Sequence, residues 1–255
     1  MTNSERWIYR RARDSARLRL FCIPFAGGGS SFYSPWQAAF PDEIEVCALE
    51  LPGRRRRVSE PPFRRAGPLV AAMADGLAPY LGLPFALFGH SMGGLLAFEL
   101  ARTLHRTSGL APRALFLSAV GAPHLRRTRR PLWNLPDADF LEEVRAYGGI
   151  PEEALAEPGL MEMFLPALRA DFEIFDTYEL EGGEPVDCPV YLYGGEQDPF
   201  VAPACLAAWI DVVPNVVSAK FFSGGHFYLS DHREALTEAI ARALGPRPER
   251  SQGGP

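Results

Sequence analysis

The sequence has no long hydrophobic run, little cysteine and no excess of positive charge. No apolar stretch approaches the roughly 20 residues that a bilayer-spanning helix needs, and residues 1–13 are polar, without the apolar core of a signal peptide. The net charge of −5 argues against nucleic acid as a partner. The four cysteines are scattered, lack the spacing of metal ligands and suit a reducing compartment. We therefore expect a cytoplasmic protein that binds no metal, membrane or nucleic acid.

Short apolar runs alternate with helical patterns along the 255 residues. The predicted strands are Leu18–Phe25, Glu45–Leu51, Phe85–Gly89, Arg113–Val120, Pro189–Gly194 and Ala219–Phe222. They are continuously hydrophobic, as parallel strands buried on both faces are. The predicted helices are Phe32–Phe40, Pro68–Leu81, Met92–His105, Pro203–Ile210 and Ser230–Leu244. The alternation predicts an α/β fold, with a mostly parallel central sheet flanked by helices.

Residues 130–181 interrupt this alternation because they contain no strand pattern. The helical pattern at Gly159–Tyr178 places one apolar stripe on a face, formed by Leu160, Phe164, Leu168, Phe172 and Phe175, while Arg169, Asp171, Glu173 and Asp176 point elsewhere. An ordinary crossover helix is the alternative, but about fifty residues are more than a crossover needs. We predict a helical lid insertion within one domain, residues 1–244, followed by a disordered tail at 245–255.

A candidate nucleophile lies in the segment Gly89–Gly93, whose sequence is GHSMG. It follows a predicted strand and precedes a predicted helix, which is the context of the G-x-S-x-G elbow. Glycines flank the serine there because a Cβ at either position would collide with the neighbouring strand and helix. A glycine-rich turn with an incidental serine is the alternative. In this context Ser91 is the candidate nucleophile of a serine hydrolase.

A serine nucleophile needs a histidine base and an acid, which follow it in the order Ser, Asp or Glu, His in this architecture. Of the five histidines, His226 lies between the last predicted strand and the last helix, next to paired glycines that permit a tight turn. Asp198 follows a predicted strand and a glycine turn, and Glu196 is its nearest rival. Ser91, Asp198 and His226 are therefore the predicted catalytic residues.

An oxyanion hole requires two backbone N–H donors. Met92 directly follows the nucleophile, and Ala26 lies in the glycine-rich turn after the first predicted strand. A phosphate site is the alternative for this glycine-rich turn, but the turn lacks the Walker lysine and the G-x-G-x-x-G spacing. Ala26 and Met92 are the predicted donors.

Five ordered motifs resemble those of the type II (external, editing) thioesterases of polyketide and nonribosomal peptide biosynthesis. They begin at Pro24 (PFAGG), Leu51 (LPGR), Gly89 (GHSMGG), Leu168 (LRADF) and Gly224 (GGHF). The resemblance runs from about Leu18 to Leu244 and implies the α/β-hydrolase fold. It also implies hydrolysis of acyl thioesters on the phosphopantetheine arm of an acyl or peptidyl carrier protein, without a cofactor. By the same match, Ser91, Asp198 and His226 carry over as the triad.

Other functions remain open at this point. A medium-chain fatty acyl thioesterase, a peptidase, a lipase or another serine ester hydrolase would use the same triad. A receptor or scaffold with a hydrolase fold is the non-enzymatic alternative.

Two further expectations concern the surroundings of the site. The apolar stripe in residues 160–175 is expected to line an acyl chamber, partly through Met161, Met163 and Phe164, or else merely to hold the lid helices together. Three arginine clusters are candidates for docking an acidic carrier protein, with solvated surface charge as the alternative: Arg54–Arg57, Arg64–Arg65 and Arg126–Arg130 (Arg126, Arg127, Arg129 and Arg130).

Overall fold

The computed structural model describes residues 3–125, 130–148, 158–183 and 186–245, and its centre is a seven-stranded sheet. The strands are β1 (Ile8–Arg10), β2 (Leu18–Ile23), β3 (Ile44–Leu49), β4 (Phe85–His90), β5 (Leu115–Ser118), β6 (Val190–Gly195) and β7 (Val216–Phe222). Their order is β1-β3-β2-β4-β5-β6-β7, and every neighbouring pair is parallel except β1 with β3. The predicted α/β fold with a mostly parallel sheet is confirmed.

Eight α-helices are described around this sheet: α1 (Asn3–Trp7), α2 (Ala66–Leu77), α3 (Met92–Ser108), α4 (Asp137–Tyr147), α5 (Pro158–Thr177), α6 (Pro203–Ala207), α7 (Tyr228–Asp231) and α8 (Arg233–Leu244). Short 3₁₀ helices occupy Ser30–Ala39, Arg55–Arg57, Ala78–Tyr80 and Ala208–Asp211. The segment predicted as a helix at Phe32–Phe40 is thus a 3₁₀ helix. It contains Pro35, which lacks an N–H donor and disfavours a regular α-helix. No described helix combines the length and apolar character needed to cross a membrane.

Separate hydrophobic cores cover the two faces of the sheet. On one face α2, α3 and the Trp209 ring pack against the strands, and the Trp209 indole N–H donates to Val120 O at 2.7 Å. On the other face, the 3₁₀ helix Ser30–Ala39 contributes the buried Trp36, and α8 contributes Leu236 and Ile240. Because both faces are covered, β3, β4 and β5 are buried along their whole length, whereas the edge strand β7 is largely exposed.

The edge strand β1 was not predicted from the sequence. It has only three residues and pairs antiparallel with β3, with Ile8 opposite Leu49. Arg10, at the end of β1, donates to the buried carboxylate of Glu45 at 2.6 Å. So short a strand has no periodic pattern of its own, and pairing with β3 fixes its conformation.

The chain between β5 and β6 forms a separate small layer, in which α4 and α5 pack on one another. Its core comprises Leu132, Phe140, Val144, Leu168 and Phe172. Arg169 of α5 donates to Trp133 O at 2.6 Å and to Leu135 O at 2.7 Å, which ties α5 to the segment that leads into α4. We call residues 130–181 the insertion. Its status as a lid of a single domain, residues 1–244, stays a prediction, and 246–255 lie outside the described residues.

The acidic residues of α5 do not lie on a solvated face. Asp171 and Glu173 are both buried, although the helical pattern placed them away from the apolar stripe. Asp171 pairs with Arg54, and Glu173 pairs with Arg64 and Arg65. Burial alone would raise the pKa of Glu173, but hydrogen bonds from the two arginines hold it below its ordinary value. Ion pairs from distant segments therefore anchor this helix to the body of the protein.

Candidate active site

Ser91 lies at the apex of a strained turn between β4 and α3. Its φ of 54° and ψ of −123° fall in a region that L-residues rarely adopt. A Cβ at Gly89 would collide with the Gly93 carbonyl, and a Cβ at Gly93 would collide with the backbone of β2. The turn is held to the next strand because Ser91 N–H donates to Ser118 O at 2.8 Å. These constraints present the half-buried Ser91 side chain above the sheet.

His226 and Asp198 lie on two adjoining loops that follow β7 and β6. The loops are tied together by their backbones, since Gln197 N–H donates to Gly224 O at 2.9 Å and Glu196 N–H donates to Phe222 O at 2.8 Å. The Gln197 side-chain oxygen in turn accepts from Gly224 N–H. The parallel pairing of β6 with β7 brings their carboxyl ends to the same edge of the sheet. Both loops therefore reach the edge where Ser91 lies.

The three predicted catalytic side chains form one chain of hydrogen bonds. His226 Nε2 lies 3.0 Å from Ser91 Oγ, and His226 Nδ1 lies 2.8 Å from Asp198 Oδ2. The other Asp198 oxygen, Oδ1, accepts from the backbone N–H groups of Phe200 and Val201 at 2.8 and 3.2 Å. The carboxylate accepts the Nδ1 proton, so Nε2 is the ring atom that can accept the proton of Ser91. This arrangement has the geometry of a nucleophile, a base and an orienting acid.

The rival residues named from the sequence lie elsewhere. Glu196 is exposed, and its carboxylate lies 3.4 Å from the Gln197 side-chain nitrogen. His124 lies 3.6 Å from Asp211, and His232 shares a hydrogen bond with Ser223. His105 lies in the last turn of α3. Of the five histidines, His226 is the one in contact with both Ser91 and a carboxylate.

His90 lies directly beneath the site but does not contact Ser91 Oγ. Its ring is fully buried, and its Nδ1 lies 2.9 Å from Ser118 Oγ, which is 2.6 Å from the Tyr228 hydroxyl. Burial, and to a smaller extent the nearby His226, holds the pKa of His90 well below its ordinary value. His90 is therefore a neutral group that supports the floor of the site.

The two predicted oxyanion donors lie at the same cavity as Ser91. Ala26 and Met92 line it together with Ser91 and His226. Neither backbone N–H group donates a hydrogen bond to another atom within the described ranges. Met92 N is also at the first turn of α3, where the helix dipole favours negative charge. Both amides are thus available to an oxygen bound above Ser91.

This cavity is small and apolar. Its volume is about 30 Å³, and its walls are Phe25, Val144, Tyr147, Phe172, Phe175 and Phe227, besides the four residues just named. A wider cleft of about 330 Å³ lies on the other side of Ser91 and His226, between the loops after β5 and β6. Tyr147 and Phe175 line both spaces and so separate them.

Sequence reasoning missed two aromatic residues at this partition. The rings of Tyr147 and Phe200 are stacked at 3.7 Å with an interplanar angle of 9°, and both lie within 6 Å of the His226 ring centroid. Phe200 directly follows Asp198-Pro199, so its position in the sequence could have indicated that its ring lies beside the acid. Tyr147 ends α4 and carries no motif, so only the folded insertion reveals it.

The expected lining by the start of α5 differs from what the structure shows. Phe172 and Phe175 line the cavity, whereas Met163 and Phe164 lie at an outer groove beside Gly27–Gly29. Met163 is 56% exposed and Met161 is buried outside the lining set. The side chain of Leu160 is not among those described. The helix is long enough that its first turns extend past the cavity.

The arginine clusters are more fully paired with acidic residues than the sequence suggested. Arg54 and Arg57 are buried, and Arg64 and Arg65 share the carboxylate of Glu173. In the third cluster, Arg130 pairs with Glu143 at 2.8 Å, and Arg126, Arg127 and Arg129 lie outside the described residues. Most of the described positive charge is therefore already paired.

No group of three or more metal-ligating side chains occurs in the part of the chain that the structure describes.

Comparisons with known proteins agree with this geometry. The model of the thioesterase domain family matches residues 18–244. The gramicidin S biosynthesis protein GrsT of Aneurinibacillus migulanus is 38% identical over 238 residues, which cover 93% of each chain. The type II thioesterase BorB of the borrelidin biosynthetic cluster has a TM-score of 0.84 and 35% identity, over 94% of this chain and 96% of that one.

A thioesterase from the prodiginine pathway of Streptomyces coelicolor, RedJ, has a TM-score of 0.85 and 35% identity, over 92% of this chain and 89% of that one. The family match spans strands β2 to β7, the insertion and the loops that carry Ser91, Asp198 and His226. It confirms the resemblance drawn from the five motifs. The chain therefore belongs to the thioesterase family of the α/β-hydrolase fold, and it is a serine hydrolase.

Proposed function

We propose that this protein hydrolyses acyl thioesters on the phosphopantetheine arm of acyl or peptidyl carrier proteins, and so releases aberrant or stalled acyl groups in polyketide or nonribosomal peptide biosynthesis. The observation that carries the proposal is the pair of contacts from His226, to Ser91 and to Asp198. The part that GrsT plays in gramicidin S biosynthesis and the origin of BorB in the borrelidin biosynthetic cluster support the substrate class. No cofactor takes part in the proposed reaction.

In the first half of the reaction Ser91 Oγ attacks the thioester carbonyl. His226 Nε2 takes the hydroxyl proton, and Asp198 stabilises the imidazolium and holds its orientation. The negative charge that develops on the carbonyl oxygen is stabilised by the N–H groups of Ala26 and Met92. When the tetrahedral intermediate collapses, the carbon–sulfur bond breaks and the departing thiolate takes the proton from His226. The acyl group is then an ester of Ser91.

In the second half His226 acts again as the base. It removes a proton from a water molecule, which attacks the acyl carbonyl and passes through a second oxyanion at the same two amides. Ser91 then leaves with the proton that His226 holds. The products are a carboxylic acid and the free serine.

The two spaces around Ser91 fit the two sides of a thioester. The small apolar cavity suits the acyl group, and the wider, open cleft suits the thiol arm. At about 30 Å³ the cavity holds roughly two water-sized groups. Short acyl groups such as acetyl and propionyl therefore fit the observed conformation without displacing its walls.

Replacement of either Ser91 or His226 tests the proposed roles. We expect Ser91→Ala and His226→Ala each to lower kcat by a factor on the order of 10⁶, and the double variant to be hardly slower than either. The reason is that the nucleophile and its base act as one unit. Intact-mass measurement of an acetylated carrier protein follows the reaction, and circular dichroism checks the fold. A variant that is folded and retains most of its activity would contradict the assignment.

The role of Asp198 as the acid is tested by two substitutions on the same loop. Asp198→Asn is expected to lower kcat by about 10⁴, because the amide favours the wrong tautomer of His226. Glu196→Gln, two residues away and exposed, serves as the control and is expected to leave kcat within about twofold, as is usual for surface substitutions. Steady-state rates on an acyl-N-acetylcysteamine thioester measure both. The opposite pattern would identify Glu196 as the acid.

The acyl cavity is tested by a pair of truncations in the insertion. Val144→Ala enlarges the cavity, so the ratio of kcat/KM for butanoyl to acetyl thioesters is expected to rise about tenfold. Met163→Ala removes an exposed side chain at the outer groove and is expected to leave that ratio unchanged. The same ratio in all three proteins would show that this cavity does not hold the acyl chain. A shift in Met163→Ala alone would assign the chain to the outer groove.

A further inference from the structure

The turn that carries Ala26 is in direct contact with helix α5 of the insertion. Gly27 has a φ of +74°, and a Cβ built there would lie 2.8 Å from side-chain atoms of both Leu168 and Phe164. The helix therefore packs against the backbone of the turn itself. If α5 moves away, residues 26–28 lose the side chains against which they pack.

A buried ion pair joins α5 to the loop after β3 and also binds the Ala26 turn. Arg54 donates to both oxygens of Asp171 at 2.8 Å, and the two side chains are 5% and 2% exposed. Asp171 lies on α5, and Arg54 follows β3 in the LPGR motif. The pair also binds the turn: Asp171 Oδ2 accepts from Gly27 N–H at 2.8 Å, and Arg54 Nη1 donates to Gly28 O at 2.9 Å.

These bonds fix the direction of the Ala26 amide. The Ala26 N–H belongs to the same planar trans peptide as Phe25 C=O and so points opposite to it. That carbonyl accepts from Gly28 N–H at 2.8 Å. Gly28 is held by Arg54 through its carbonyl, and Gly27 is held by Asp171 through its N–H. The Phe25 carbonyl, the Gly27 N–H and the Gly28 carbonyl are thus all bound, which restrains rotation of the Ala26 peptide.

We propose that Arg54 and Asp171 are positioning residues for the oxyanion hole, and that they link the docking of helix α5 to the orientation of the Ala26 N–H. The inference rests on the proposed function, because it assumes that Ala26 stabilises the oxyanion. Neither side chain lines the cavity proposed for the acyl group. Their effect is to keep a donor in place before the transition state forms, when its value to catalysis is greatest.

A second ion pair on the same helix provides the control. Glu173 of α5 binds Arg64 and Arg65 at 2.7 and 2.5 Å, and within the described residues its carboxylate makes no hydrogen bond to the Ala26 turn. If Asp171 only anchored the helix, replacing Asp171 and replacing Glu173 would change kcat alike. If Asp171 positions the turn, replacing Asp171 lowers kcat and replacing Glu173 does not.

Removing one member of a buried pair leaves an uncompensated charge and can prevent folding. The test therefore uses two double variants that remove both charges of the pair. Arg54→Met with Asp171→Leu is called the Met/Leu variant, and Arg54→Met with Asp171→Asn is called the Met/Asn variant. Glu173→Gln is measured beside them as the control. Apolar replacement of a whole buried pair is often tolerated. The asparagine oxygen can still accept from Gly27 N–H, whereas leucine cannot. The two double variants thus differ in the bond under test.

The measurements are kcat and KM on an acetyl-N-acetylcysteamine thioester, Tm, and the affinity for a boronic acid that forms a tetrahedral adduct with Ser91. For the Met/Leu variant we expect kcat to fall by about 10- to 100-fold, with KM within about twofold and a parallel loss of boronate affinity. The Met/Asn variant is expected to recover a large part of kcat. Glu173→Gln is expected to retain wild-type kcat even if its Tm falls.

A folded Met/Leu variant with wild-type kcat and boronate affinity would overturn the positioning role. So would a Met/Asn variant as slow as Met/Leu, or an equal loss of kcat in Glu173→Gln. A wild-type protein that cleaves no thioester would instead overturn the proposed function, which separates the two failures.

Discussion

The strained backbone at Ser91 is the constraint on which the site depends. A residue with φ of 54° and ψ of −123° costs on the order of 1–3 kcal/mol and persists only where its surroundings hold it. Here the surroundings are a hydrogen bond to β5 and the close approach of two glycines to neighbouring backbone. The parallel sheet then delivers His226 and Asp198 to the same edge. Strain, sheet order and loop contacts together put three distant residues within hydrogen-bonding distance.

Much of this arrangement could be predicted from the sequence because the signals are local. The continuous apolar runs that predicted β2 to β6 reflect burial on both faces, and the GHSMG segment has its own strand-turn-helix context. Ser91, Asp198 and His226 were chosen by chain order and loop position, and the structure brings these three together. Their catalytic roles and those of Ala26 and Met92 remain proposals that the variants above can test.

What could not be predicted depends on contacts between distant segments. Asp171 and Arg54 are 117 residues apart, and neither shows its partner in the local pattern. An acidic residue on a helix indicates a solvated face by default, yet the pairing with Arg54 makes burial possible. Tyr147 is a similar case, since its stacking on Phe200 exists only once α4 lies over the site. The edge strand β1 was missed because three residues carry no period.

The central claim is that the acyl group of a carrier protein passes through Ser91. The most direct measurement mixes this protein with a carrier protein bearing an acetyl-phosphopantetheine arm, quenches the mixture in acid after short intervals and reads both proteins by intact mass and peptide mapping. Our account predicts that the carrier loses the acetyl mass while a transient acetyl adduct forms on the peptide that contains Ser91. An acetyl group that stays on the carrier, or an adduct confined to another peptide, would contradict it.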